Sequence, residues 1–107
     1  MMNSEIVRTG GARIGRANAT WPFAKLRCTA SELVLDVAIL GKYTFAKGSV
    51  TRIEKYTSLP VIGQGVRLEH TIADYPARII FWYLGNTQRL LEEIEAIGFL
   101  PQNASIG

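Results

Sequence analysis

One cysteine and one histidine are all that this chain offers to redox or imidazole chemistry. A lone Cys28 excludes an intramolecular disulfide. Its alternation with Leu26 reads as a small buried hydrophobe in a reducing compartment, not a nucleophile. His70 ends the alternation Val66, Leu68, His70 and reads as a partly buried sheet residue. The carboxylates are scattered, so neither a Ser/His/Asp set nor a metal-ligand cluster accompanies that histidine. Gly63-Gln64-Gly65 lacks the strand before and helix after that a phosphate loop needs. Long apolar runs are also missing. Val37 to Leu40 and Ile79 to Leu84 fall far short of the roughly 20 residues that cross a bilayer. Residues 1–11 contain no apolar h-region, so no signal peptide is expected. The expectation from these absences is a non-enzymatic protein without metal or cofactor, in the cytoplasm or at the inner face of the membrane.

The 107 residues suit a single domain. A hydrophobic fraction of 48% beside 20% charged residues is ordinary for a folded globular chain. The net charge of +3 is unevenly spread: residues 1–55 carry nine Lys and Arg against four acids, and residues 56–107 three Arg against five acids. A basic face on the early strands follows, although a charge of this size is below that of dedicated nucleic-acid binders. The aromatics sit in apolar alternation and are not interleaved with Lys and Arg as a stacking platform would be, so nucleic acid is not the expected partner.

Patterning predicts about seven short strands and then one helix. The first ten residues carry little pattern and are expected to be flexible, with the domain spanning 11–100 and a tail over 101–107. Strands are expected over Ala12 to Ala19, Ala24 to Thr29, Leu33 to Ile39, Tyr43 to Ala46, Val50 to Thr57, Gly65 to His70 and Ala77 to Tyr83. Leu33, Leu35, Val37 and Ile39 share one face of the third. Trp21-Pro22-Phe23 is expected to break pairing between the first two, because proline lacks an N–H donor. Leu40-Gly41-Lys42 and Lys47-Gly48-Ser49 read as turns. The seventh strand is apolar on both faces, as in a strand covered on both sides. Thr87 to Ile97 reads as a helix, capped by Asn86 or Thr87 and stopped by Gly98. Leu90, Leu91, Ile94 and Ile97 form its apolar stripe, with Glu92, Glu93 and Glu95 away from it in solvent. Burial of four such side chains contributes roughly 6–12 kcal/mol as an upper bound, so the helix must dock on the sheet.

This order resembles the pleckstrin-homology (PH) superfold, in which a bent antiparallel barrel or orthogonal sandwich is plugged at one end by a C-terminal helix. The likeness is carried by Asn18-Ala19-Thr20-Trp21-Pro22-Phe23-Ala24, by the Leu33-to-Ala46 hairpin and by Ile80-Phe81-Trp82 running into the helix, and the chain looks like a small bacterial PH-like domain. It implies a binding or scaffolding module. Many phosphoinositide-binding members carry a Lys-x-Arg element on the second strand and a basic residue before it. Lys25-Leu26-Arg27 and Arg16 resemble that element, while Trp21-Pro22-Phe23 stands where the family has a polar, basic loop. Two candidate surfaces result. Arg16, Lys25 and Arg27 would hold a lipid headgroup or another small anion. Trp21 and Phe23, with Leu59, Val61 and Ile62, would form an apolar patch for a protein partner or a second copy. An unpaired edge strand offers a third mode of docking, by strand addition.

Overall fold

The computed structural model describes residues 4–58, 63–100 and 105–106. β1 (Ile6–Ile14) turns at Gly15, which takes φ 62°, into the long β2 (Ala17–Cys28). β3 (Glu32–Val37) and β4 (Gly41–Ala46) complete a first antiparallel meander. β5 (Val50–Ser58), β6 (Gly63–His70) and β7 (Ile79–Trp82) form a second. α1 (Thr87–Ile97) follows, and β8 (Ser105–Ile106), inside the stretch expected to be a tail, pairs parallel with β5. Across the sheet the order is β4-β3-β2-β1-β7-β6-β5-β8, so a β1–β7 seam joins the meanders. Seven antiparallel strands and a C-terminal helix make a mainly β domain, consistent with a PH-like barrel or sandwich.

The inward positions alternate as a half-buried sheet requires. Leu26, Leu33, Leu35, Phe45, Ile53, Leu68, Ile79 and Phe81 are fully buried and meet Leu90, Leu91 and Ile94 of α1 and Phe99 after it. The helix has the expected bounds. Asn86 Oδ1 accepts from the Arg89 N–H at 2.9 Å, and Gly98 takes φ 90° at the C-terminus. Glu93, expected in solvent, instead accepts from Arg8 of β1 at 2.7 Å and ties the helix to the sheet. At the curled end, Tyr43 and Phe45 of edge strand β4 meet Tyr75 at ring separations of 5.2 and 5.3 Å, and Phe45 meets His70 at 5.3 Å. An aromatic cluster therefore bridges β4 to the far end of β6.

Three local expectations are corrected. The predicted strand Ala12 to Ala19 is the tip of a hairpin, because Gly15 turns the chain in mid-run, and β1 starts at Ile6, before the expected domain boundary. Trp21-Pro22-Phe23 interrupts pairing with β1 as expected, but it does not separate two strands. It is a bulge inside β2, where residues 20–23 oppose the single Gly11 of β1. Ile39 does not face the core. The chain turns at Ala38 to Leu40, and Ile39 is fully exposed with φ 72°.

Candidate functional site

The bulge decides what the rim of the sheet shows. Gly10 pairs with Ala24 and Ala12 with Ala19, so the intervening β2 residues have no ladder partners on β1 and are pushed out. Trp21 is 52% and Phe23 56% exposed, and Pro22 between them is exposed as well. The Phe23 carbonyl accepts from the Ala38 N–H at 2.9 Å, which holds the β3–β4 turn against the bulge. Ala38 is thereby set opposite Phe23, and Ile39 follows it in the turn. A β-branched residue in the left-handed region is strained, and a wholly exposed isoleucine gains no burial to offset that strain. The two aromatics alone leave roughly 150–250 Å² open, worth about 4–6 kcal/mol when removed from water. Leu59, Val61 and Ile62, the other expected members of this patch, lie outside the described residues. Sequence alternation missed Ile39; its strain and exposure are visible only in the turn.

The structure brings Lys25 and Arg27 together and leaves Arg16 apart. Lys25, Asp36 and Lys42 stand side by side on the outer face of β2, β3 and β4, and Arg27, Val34 and Thr44 form the next row. These residues, with Glu32, line a depression of about 290 Å³. Arg27 pairs with Glu5 at 3.4 Å. The face thus mixes Lys25, Arg27 and Lys42 with Glu5, Glu32 and Asp36. Arg16 sits in the β1–β2 turn, at the opposite end of β2, beside Arg78 through the Gly15 N–H to Arg78 carbonyl bond of 2.8 Å.

The edges are partly occupied. On β4 the outward Thr44 N–H donates to the Tyr75 hydroxyl at 3.0 Å, and β5 carries β8. Both nitrogens of His70 are engaged by backbone. Nδ1 accepts from the Ile72 N–H at 3.1 Å, and Nε2 donates to the Pro76 carbonyl at 2.8 Å, which assigns the neutral Nε2–H tautomer. Cys28 is fully buried, and burial pushes its thiol up to about 12. No group of three or more metal-ligating side chains occurs among the described residues, and no helix there is long and apolar enough to cross a membrane. No family model, curated protein or solved structure matches this chain.

Proposed function

We propose that this protein is a non-enzymatic, PH-like interaction module that docks onto a second copy of itself through the Trp21, Phe23 and Ile39 rim. The single observation that carries the reading is the exposure of these three side chains on one bulge-and-turn unit, with Ile39 held in a strained conformation. The neighbouring face supports a like partner. It carries Lys25 and Lys42 around Asp36 in one row, so a two-fold related copy can oppose each sign with the other. Strand addition is the weaker mode, since Tyr75 closes Thr44 on the β4 edge.

The test is light scattering over a wide concentration range. A mass that grows toward the dimer in wild type, and stays monomeric in Trp21→Ser/Phe23→Ser and in Asp36→Lys, is the expected result. A constant monomer mass in wild type sinks the self-docking reading. The second reading is anionic-lipid binding, favoured by Lys25, Arg27 and Lys42 lining one depression. It predicts sedimentation with anionic vesicles that Lys25→Ala/Arg27→Ala abolishes; negligible binding by both proteins removes it.

A further inference from the structure

The other half of the sheet has an outer face of different chemistry. Ile80 of β7 is fully buried yet stands outside the main core. Its neighbours in register are Arg13 on β1 and Arg67 on β6, whose aliphatic stems cover it. One pleat further along, Trp82 is flanked by Gly11 and Gly65, which present no side chains. The indole lies across the sheet, with the β2 backbone from Ala19 to Trp21 packed over Gly11 beside it. Its Nε1–H donates to Asn18 Oδ1 at 2.8 Å on one side, and a Cβ on Gly63 would touch its six-membered ring at 3.4 Å on the other. Tyr56 meets it at 5.8 Å in a tilted contact. Trp82 remains partly exposed.

Arginines lead away from that ring. Arg13 and Arg67 are about 10 Å apart as next-nearest strands, and both lie roughly 7 Å along the strands from Trp82. Arg78 precedes Ile80 by two residues, and Arg16 lies beside it in the β1–β2 turn. None of these four is in an ion pair among the described residues. Glu54, opposite Arg67 in register, pairs with Arg52 at 3.4 Å instead. Arg67 Nε has no hydrogen-bond partner among the described residues. Without a carboxylate partner among the described residues, the guanidinium of Arg67 keeps its charge available to an anion.

We propose that this face binds single-stranded nucleic acid, with a base stacked on Trp82 and the phosphates running along Arg13, Arg67, Arg78 and Arg16. The platform is sequence-tolerant, because every base has a π-face. It adjoins the Trp21 rim, because Trp82 stands opposite Gly11, which itself opposes residues 20–23, and the two readings are told apart by separate readouts, oligonucleotide binding and self-association.

The test is fluorescence anisotropy of a labelled oligothymidylate with the full chain at low salt. Wild type binds, and affinity falls steeply as salt rises from about 50 to 200 mM. Arg13→Gln/Arg67→Gln weakens binding about ten-fold or more, with circular dichroism confirming the fold, while Lys25→Gln/Lys42→Gln leaves it within about two-fold. In a Trp21→Phe background the emission of Trp82 is quenched on binding, and Trp82→Leu loses affinity about ten-fold. Adenosine monophosphate and inorganic phosphate serve as competitors. Displacement by an oligonucleotide at concentrations where neither small competitor acts supports the proposal, and displacement by adenosine monophosphate or inorganic phosphate as effective as by the oligonucleotide overturns it. Absence of binding at low salt, equal affinity for duplex, or equal losses in the two double variants overturns the proposal.

Discussion

Replacing Ile39 should stabilise the protein while weakening its association. The residue holds φ 72° and is fully exposed, so no packing is lost with its side chain. An L-residue in the left-handed region costs about 1–2 kcal/mol, and β-branching adds to that. Asparagine tolerates the region through local hydrogen bonding, so Ile39→Asn should recover about 1 kcal/mol. Glycine removes the steric cost entirely but loses about 0.5–1 kcal/mol to the entropy of the unfolded chain, so Ile39→Gly should gain slightly less. For a domain of this size 1 kcal/mol moves Tm by about 4 °C or more. Thermal unfolding by circular dichroism at dilute, monomeric concentration measures the gain, and light scattering of the same variants measures the loss of dimer. An unchanged or lowered Tm in Ile39→Asn would refute the reasoning, since it would mean that the isoleucine packs against the protein or that the turn is not strained.

Three other perturbations follow from the geometry. A Cβ on Gly65 would fall against the Phe81 carbonyl of the neighbouring strand, so Gly65→Ala should lower stability by about 1–3 kcal/mol in urea unfolding; Gly48→Ala meets open space and should cost only the strain of its φ of 94°, about 1–2 kcal/mol. Cys28 should resist a thiol reagent until the protein unfolds. Its folded pKa, about 12, lies above the ordinary 9.0, so the folded state holds the proton longer; stability should fall as pH rises through that interval, and less so in Cys28→Ala. Tyr75→Phe strips the hydroxyl from the Thr44 N–H and should cost about 0.5–1 kcal/mol, with faster amide exchange at Thr44 by NMR; unchanged exchange there would show that the edge is open in solution.

Which parts were legible in the sequence follows from how local their causes are. The helix and its caps are written in adjacent residues, and Asn86, the Leu90-to-Ile94 stripe and Gly98 occupy their expected roles. The inward set Leu33, Leu35 and Val37 was equally readable, but alternation has no stop signal, and it ran on into Ile39 where the chain had already begun to turn. Gly15 turns the first hairpin inside a run too weakly patterned to reveal it. The seventh strand did read as covered on both faces, but the cover over Ile80 comes from arginine stems on β1 and β6. The rim was half legible, since Trp21 and Phe23 were visible as candidates and Ile39 was not. The arginine and tryptophan face was not legible at all. Its members lie near positions 13, 67 and 82, and only the register of three strands makes them neighbours.

The β1–β7 seam also has a meaning for synthesis. The first meander can form as soon as β4 emerges, but the flank of β1 that Ile79 to Trp82 will cover stays unpaired until β7 has been made. At about 5–20 residues per second that interval is on the order of several seconds on the ribosome. A bare strand flank is a template for pairing with other nascent chains. The kink opposite residues 20–23 and the paired glycines Gly10 and Gly11 make this one irregular and poor in side-chain grip. The same bend that lifts Trp21 and Phe23 out of the finished sheet therefore also shields the growing chain from the wrong neighbour.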